Sequence, residues 1–251
     1  MVDIHSHVLY GLDDGAKDKE MSIAMLRLAA ANGTTDIVAT PHSDLKYPFK
    51  PDEIEVQLAE FAKLDDVPRI HRGCDFHLSF DNIQDLFEHP LRYTINGHGY
   101  LLVEFANQAI PARIGDVLRR MLGMGICPVI THPERNALLA NGLLQIAEWV
   151  ESGCRVQVTA QSFAGRFGKS AQVAARNLMD RDLVHFVASD AHDLENRPPT
   201  LRAAFQSVSS EYGEERADAL FRTNPAKVLT GQPVTIAAKG FAKPRQWFKL
   251  W

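Results

Sequence analysis

Short apolar runs alternate along the chain with longer segments in which apolar residues recur at helical spacing. Ile114, Val117, Leu118, Met121 and Leu122 follow the i, i+3, i+4, i+7, i+8 spacing of one helix face. The short runs are apolar at consecutive positions, which is typical of parallel strands covered by helices on both faces. Seven runs are predicted to be strands: 2–4, 35–40, 69–74, 100–105, 126–131, 155–159 and 184–189.

The alternation of these strands with helices predicts an α/β fold with a parallel sheet, either an open doubly wound sheet or a closed barrel. At 251 residues, the chain is long enough for one large domain or two small ones. No linker rich in proline, glycine or serine divides the strand series, and the sequence has no internal repeat. We therefore predict a single domain over residues 1–235.

The end of the chain has a different composition. We predict that residues 236–251 form a basic-aromatic tail outside the domain. A loosely docked extension is the first interpretation, and a segment that binds a membrane surface or a partner is the alternative. The basic and aromatic residues of the tail are Lys239, Phe241, Lys243, Arg245, Trp247, Phe248, Lys249 and Trp251.

Composition and charge narrow the class of protein. The chain is 45% hydrophobic and 23% charged, as globular proteins are, and its net charge of −4 argues against a general nucleic-acid binder. Cys74, Cys127 and Cys154 are odd in number and form no Cys-x-x-Cys pair, which favours a reducing compartment. The sequence shows neither a signal peptide nor 18 consecutive apolar residues. We expect a cytoplasmic protein with no transmembrane segment and no nucleic-acid partner.

Histidines and carboxylates follow six of the seven predicted strands. The carboxyl ends of parallel strands converge on one mouth, where α/β folds place their sites. A single histidine there is more often a core or surface residue, and a single aspartate is often a helix cap. So many together indicate a functional site. The residues are His5, His7, His42, Asp75, Glu104, His132, Asp190 and His192.

This set of side chains points to metal ions, and to more than one. Carboxylates packed closely together need cations to neutralise them, and His5 and His7 lie two residues apart on an extended chain, so they can bind one ion. Nitrogen and oxygen ligands without thiolates favour Mn²⁺, Fe²⁺ or Zn²⁺. The other histidines are predicted to lie outside the site, with His77 and His98 as the nearest exceptions; they are His71, His77, His89, His98 and His185.

Other hydrolase chemistries lack their motifs. A cysteine phosphatase needs an arginine six positions after the cysteine, but those positions hold Phe80, Pro133 and Ala160. The G-x-S-x-G turn of serine hydrolases does not occur. Residues 168–170 read Gly-Lys-Ser, but Phe163 occupies the glycine position that a phosphate-binding loop requires.

With these residues the sequence resembles the PHP (polymerase and histidinol phosphatase) superfamily. It is most similar to the bacterial protein-tyrosine phosphatase branch encoded with capsular and exopolysaccharide genes, the CpsB/CapC family. The Asp-Asp-Gly and His-Pro-Glu-Arg elements are much more specific than His-x-His alone. The matching stretches are DIHSH (3–7), LDDGAK (12–17), ATPH (39–42), LVEF (102–105), THPER (131–135), ASDAH (188–192) and RPP (197–199).

The resemblance implies a distorted seven-stranded (β/α)7 barrel, similar to a TIM barrel, and three divalent ions. Mn²⁺ is the first choice, with Fe or Zn as alternatives. The implied ligands of the first ion are His5, His7, Asp75 and Asp190. Asp75 would bridge to the second ion, whose other ligands would be Glu104 and His132. Asp14, His42 and His192 would bind the third ion.

The resemblance also implies catalytic residues. Arg135 and Arg197 would bind phosphate oxygens, and Asp14 would be catalytic as well as a metal ligand. The sequence departs from the family at one ligand, because Asp75 stands where the family usually has glutamate. Its side chain is one methylene shorter, which can shift the bridge or weaken one ion.

The expected function is metal-dependent phosphomonoester hydrolysis without a cysteine nucleophile. The favoured substrate is phosphotyrosine in a bacterial tyrosine kinase that controls polysaccharide export. A small-molecule phosphatase of the histidinol-phosphate type is the alternative enzyme. A metal-stabilised regulatory binding module without activity is the alternative outside the enzyme class. A homo-oligomer is compatible with the sequence.

Overall fold

A computed structural model of the chain describes residues 1–107 and 109–235. The predicted basic-aromatic tail, 236–251, lies outside the described residues, so the boundary at 235 stays a prediction. The strands of the described part are β1 (Val2–Ser6), β2 (Asp36–Ala39), β3 (His42–Ser43), β4 (Arg69–Arg72), β5 (Asp75–His77), β6 (Tyr100–Glu104), β7 (Cys127–Thr131), β8 (Arg155–Thr159) and β9 (Phe186–Ala188).

Helices separate most of the strands, and the predicted helix at 114–122 is confirmed, with its apolar face buried. A 3-10 turn at Ile95–Gly97 and a π-helical segment at Ala219–Thr223 supplement the helices. The helices are α1 (Lys19–Ala31), α2 (Pro51–Phe61), α3 (Phe80–Glu88), α4 (Ile114–Gly123), α5 (Leu143–Ser152), α6 (Ala160–Phe163), α7 (Gly168–Met179), α8 (Arg202–Tyr212), α9 (Glu214–Asp218) and α10 (Asn224–Leu229).

The strands form two parallel sheets, in the order β1-β2-β4 and β3-β5-β6-β7-β8-β9. The mixed α/β fold with parallel pairing is therefore confirmed. The second and third predicted strands are each interrupted. Pro41, which has no N–H group, lies between β2 and β3, and Gly73 lies between β4 and β5. A Cβ at position 73 would lie 2.8 Å from Val38 Cγ1, so glycine at this position leaves room for the Val38 side chain of β2.

Backbone hydrogen bonds continue across both interruptions. Gly73 N donates to Ala39 O (2.9 Å), and Asp75 N donates to Pro41 O (3.1 Å). The first strand also pairs with the chain that follows β9, because His7 N donates to Ala191 O (2.8 Å). The edges of the two sheets therefore meet at two places.

One apolar cluster lies on a face of the strands that also carries a candidate donor, Glu104, at the carboxyl end of β6. Tyr100 and Leu102 of β6 belong to it, together with Val129 of β7 and Phe186 of β9. Alternate residues of a strand share a face, so Glu104 continues the face of Tyr100 and Leu102. The face is apolar at its amino end and carries a carboxylate at its carboxyl end. In the part of the chain that the structure describes, no helix has the length and apolar character needed to span a membrane.

Candidate metal centre

The structure brings the predicted donor side chains together at the carboxyl ends of the strands. His5 lies on β1, Glu104 ends β6, and Asp75 lies on β5, the short second part of the interrupted third predicted strand. Three groups have donor atoms within 4.8 Å of one another, so each group is compact enough to hold an ion. The groups are His7, Asp14, His42 and His192; His5, His7 and Asp75; and His42, Asp75 and Glu104.

The distances between these donor atoms match those between two ligands of one metal ion and are longer than those of most hydrogen bonds. His5 Nε2 lies 3.4 Å from Asp75 Oδ2 and 3.4 Å from Asp190 Oδ1, and His7 Nε2 lies 3.4 Å from the same Asp190 oxygen. Ligands held about 2.1 Å from one ion lie roughly 3.0–3.4 Å apart, whereas N–H···O hydrogen bonds are usually shorter than about 3.2 Å. The donor set therefore fits a divalent cation.

Asp75 gives the strongest indication of an ion. Its side chain is fully buried, and neither carboxylate oxygen has a hydrogen-bond partner among the described residues. Burial alone would raise the pKa of Asp75, but the adjacent His5 and His42 rings hold it well below the ordinary value. A buried charge with no hydrogen bond is costly unless a cation pairs with it.

The group around Asp14 joins the loop before α1, strand β3 and the segment that follows β9. Asp14 Oδ1 lies 3.4 Å from His42 Nε2 and 3.5 Å from His192 Nε2. These contacts, with His192 first, lower the pKa of Asp14. Burial opposes protonation of His42, yet the Asp14 and Asp75 carboxylates raise its pKa to about 12. Asp14 therefore stays ionised and available as a ligand.

The resemblance implies that His132 binds the same ion as Glu104, and the structure places His42 next to Glu104 as well. Glu104 Oε1 lies 3.8 Å from His132 Nε2, while the other oxygen lies 3.6 Å from His42 Nδ1. His42 thus faces Asp14 with one ring nitrogen and Glu104 with the other. Burial, followed by the Arg135 guanidinium, lowers the pKa of His132 to about 3, which leaves its imidazole neutral and able to bind a metal.

Two candidate ligands have strained backbones. His132 has a φ of 33° and Asp190 a φ of 51°, in the left-handed region that residues other than glycine seldom adopt. His132 directly follows β7, and Asp190 lies two residues after the end of β9. Such strain is concentrated at functional sites, because the surrounding structure must hold the side chain in one direction.

The two predicted phosphate-binding arginines converge on one ligand oxygen. Arg135 Nη1 donates to Asp190 Oδ2, and Arg197 Nη2 donates to the same atom over 2.5 Å. Arg135 also donates to Thr159 Oγ1 (3.3 Å) and lies 4.1 Å from the centre of the Phe167 ring. Both guanidinium groups are therefore beside the donor cluster and are held there by side chains.

The sequence interpretation missed the residues that hold the first two histidines. His7 Nδ1 donates to Asp13 Oδ2 (2.6 Å), and His5 Nδ1 donates to Gln157 Oε1 (2.9 Å). Metal-bound histidines usually donate their second ring N–H to such an acceptor. Signals were present, because Asp13 precedes Asp14 in the Asp-Asp-Gly element and Gln157 is a polar residue inside a buried strand.

The remaining histidines belong to none of the three donor groups. His77 comes nearest, with Nδ1 3.9 Å from Glu104 Oε2. His71 contacts Asp36 (3.0 Å) and His89 contacts Asp85 (3.3 Å). His185 is buried and accepts a hydrogen bond from Val156 N, and His98 packs against Gly231.

The chain is similar to known proteins over most of its length. The family model for capsular polysaccharide synthesis, CpsB/CapC, matches residues 1–230. Tyrosine-protein phosphatase CpsB of Streptococcus pneumoniae is 34% identical over 244 residues, covering 92% of this chain and 99% of that protein. A putative tyrosine-protein phosphatase CapC of Staphylococcus aureus is 31% identical over the whole of both chains. A chain from the crystal structures of YwqE from Bacillus subtilis and CpsB from S. pneumoniae matches with a TM-score of 0.85 and 31% identity. The match covers 94% of this chain and 96% of that chain. Both proteins are described as metal-dependent tyrosine phosphatases.

Proposed function

The chain belongs to the CpsB/CapC family, and from this premise we propose that it is a metal-dependent phosphatase that hydrolyses phosphotyrosine in a protein substrate. The resemblance to this family, which was inferred from the motifs, is confirmed. The expected class of enzyme is confirmed as well, because the relatives of this chain are tyrosine-protein phosphatases and the matching structures are described as metal-dependent. The observation that carries the proposal is the buried Asp75 carboxylate, which faces His5 and His42 without a hydrogen bond from any described residue. Two arginines lie beside the same donor cluster.

We assign three divalent ions to the cluster, with Mn²⁺ as the preferred metal. Asp75 supports a bridging role because one of its oxygens faces both His5 (3.4 Å) and His42 (3.3 Å). The proposed ligands are His5, His7, Asp75 and Asp190 for the first ion, Asp75, Glu104 and His132 for the second, and Asp14, His42 and His192 for the third. His42 lies close enough to Glu104 to contribute to the second as well.

When bound, divalent ions would neutralise the phosphoryl oxygens and acidify a water molecule for attack on phosphorus. Arg135 and Arg197 bind the remaining phosphate oxygens through planar guanidinium groups. Both donate to Asp190 Oδ2, which keeps them close to the position of the phosphate. The Phe167 ring and Thr159 Oγ1 hold Arg135 in place.

A thiol nucleophile is not needed for this chemistry. Cys74 and Cys154 are buried, and burial raises the pKa of both thiols, that of Cys154 to about 12. Cys127 is half-buried and its pKa is raised by burial to about 11. All three side chains are therefore protonated at neutral pH, when a thiolate would be required for attack.

The proposed substrate is a tyrosine kinase that controls polysaccharide export, and the proposed location is the cytoplasm. The named relatives support the substrate class, because they are tyrosine-protein phosphatases within a family of capsular polysaccharide synthesis. A homo-oligomer remains part of the proposal, to be examined by light scattering.

We further infer that the two sheets together make one distorted (β/α)7 barrel. The inference treats β2 with β3, and β4 with β5, as two strands that are each interrupted once. The backbone bonds at Gly73 and Asp75 support it, since they continue the pairing from one sheet to the other. The parallel bridge between Ser6 and Ala191 supports closure at the other edge.

A substrate panel on protein reconstituted with Mn²⁺ tests the activity. We expect a phosphotyrosine peptide to be hydrolysed with a higher kcat/KM than a phosphoserine peptide of the same sequence or histidinol phosphate. Higher turnover of histidinol phosphate would replace the proposal with a small-molecule phosphatase. Stoichiometric metal binding without turnover of any ester would favour a binding module.

A further inference from the structure

Asp13 is buried against the candidate metal centre but belongs to none of its donor groups. Oδ2 accepts hydrogen bonds from His7 Nδ1 (2.6 Å) and from the backbone N–H of His42 (3.0 Å). Oδ1 accepts a bond from Gly15 N (2.9 Å). The side chain is completely buried, so water does not replace any of these three bonds.

The three bonds all lead to the same group of donors. His7 and His42 are two of its members, and the third bond fixes the loop between Asp13 and Gly15, which carries the member Asp14. The loop has little freedom, because a Cβ at position 15 would overlap the carbonyl oxygen of His7. One carboxylate therefore sets the direction of three donors: His7, which follows β1, His42 on β3, and Asp14 in the loop before α1.

The carboxylate also determines which nitrogen of His7 is free. An ionised carboxylate only accepts hydrogen bonds, so the ring nitrogen that faces it, Nδ1, carries the proton. The lone pair is then on Nε2, which lies 3.4 Å from Asp190 Oδ1 and 3.4 Å from His5 Nε2. His5 has a different partner, since its Nδ1 faces the neutral amide oxygen of Gln157.

We propose that Asp13 is a positioning residue for two of the ions: it fixes the His7 tautomer at the first ion, and it fixes the backbone of His42 and the loop that carries Asp14 at the third. This inference rests on the metal centre described under the proposed function. Acceptors of this kind are typically worth about 10–100-fold in metal affinity. Removal of Asp13 therefore weakens the first and third ions, while every ligand side chain remains.

The experiment measures metal content at graded free Mn²⁺ by equilibrium dialysis and elemental analysis, for wild type, Asp13→Asn and Asp13→Ala. Asp18→Asn is the matched control, since Asp18 caps α1 through Met21 N and does not touch the donors. We expect two ions per chain to need about 10-fold more Mn²⁺ in Asp13→Asn and about 100-fold more in Asp13→Ala. Asp13→Asn keeps the size of the side chain, and circular dichroism checks the fold of each variant.

A second readout does not depend on affinity. In the Zn²⁺-loaded protein, the Nδ1 proton of His7 should give a downfield NMR resonance that exchanges slowly with water. We expect the resonance to persist in Asp18→Asn and to disappear in Asp13→Ala. Titration curves for Asp13→Ala that coincide with wild type, or an unchanged His7 resonance, would overturn the proposal.

Failure of this proposal is distinct from failure of the proposed function. A wild-type protein that binds Mn²⁺ and hydrolyses phosphotyrosine, together with unchanged metal binding in both Asp13 variants, contradicts the role of Asp13 alone. Absence of metal binding in the wild-type protein contradicts the metal centre itself.

Discussion

Polar groups at the amino ends of β6 and β8 are hydrogen-bonded, whereas the Asp75 carboxylate at the candidate metal centre is not. At the amino ends, Tyr100 OH donates to Gln232 O (3.0 Å) and accepts from Val234 N (3.0 Å), and Arg155 donates to Val234 O. At the carboxyl ends, both Asp75 oxygens are buried without a hydrogen bond from the described residues, and Asp190 has a strained backbone. Satisfied polar groups hold the last described segment against the fold, whereas unsatisfied carboxylates are suited to binding cations.

This contrast predicts that substitutions at the carboxyl ends change metal content and rate, and that substitutions at the amino ends change stability alone. The largest effect should come from removing the ions. Chelation with EDTA should abolish phosphatase activity, and added Mn²⁺ should restore it. Iodoacetamide should leave most activity intact, because Cys74 and Cys154 are buried. Loss of activity on alkylation but not on chelation would contradict the mechanism.

Asp75→Asn should be nearly as severe. The amide keeps the shape of the side chain but removes the charge, and its nitrogen is a poor metal ligand, so at least one ion should be lost. Elemental analysis and kcat measure the outcome, with the exposed Asp116→Asn as the matched control. Asp75→Glu should retain the ions but react more slowly, because displacement of catalytic groups by about 1 Å can cost about 10²-fold in rate. A fully active, fully metallated Asp75→Asn protein would remove Asp75 from the site.

Arg135→Ala should lower kcat/KM by about 10–150-fold, since a hydrogen bond to a charged group contributes about 1.5–3 kcal/mol. The ions should remain bound, which distinguishes this variant from Asp75→Asn. Arg135→Lys should restore only part of the rate, because an ammonium group cannot make paired contacts with phosphate. Normal turnover by the alanine variant with all ions present would exclude a phosphate contact.

Metal uptake should release protons and become tighter as the pH rises. In metal-free protein, burial opposes protonation of His5, but Asp75 and Asp190 raise its pKa to about 9, so its ring is charged at pH 7. A metal ion must displace that proton. Calorimetry in buffers of different ionisation enthalpy should detect the release at pH 7. Affinity that does not change between pH 6 and 9 would contradict this prediction.

The same shift predicts the stability of the metal-free protein. The folded-state pKa of His5 lies above the value of about 6.5 expected for an unfolded chain. Its contribution to stability is therefore complete below about pH 6.5 and is lost as the pH rises towards 9. Thermal melting of metal-free protein should show this decline, and saturating Mn²⁺ should oppose it.

Tyr100→Phe should have the smallest effect, confined to the amino ends of the strands. It removes the acceptor of Val234 N and the donor to Gln232 O, which should lower the free energy of unfolding by about 1–2 kcal/mol. Metal content and kcat should match wild type. The control is Tyr212→Phe, whose hydroxyl bonds to Asp180 at the surface and should contribute less. A loss of ions in Tyr100→Phe would show that the two ends are coupled.

The sequence by itself determined the elements and the chemistry of the donors. Apolar runs with helical segments between them predicted the parallel α/β fold, because burial on both faces selects consecutive apolar residues. Motifs at the strand ends identified candidates such as His5, Asp75 and Asp190, since the carboxyl ends of parallel strands converge on one side. These inferences depend on spacing within one element, which the backbone geometry fixes.

Only the tertiary structure decided which side chains meet across elements. It placed His42 between Asp14 and Glu104, directed both arginines to Asp190, and gave His7 the partner Asp13. It also divided two predicted strands at Pro41 and Gly73. Contacts between elements depend on strand register, loop paths and close backbone approaches, and those are set by packing of the whole chain rather than by local residue spacing.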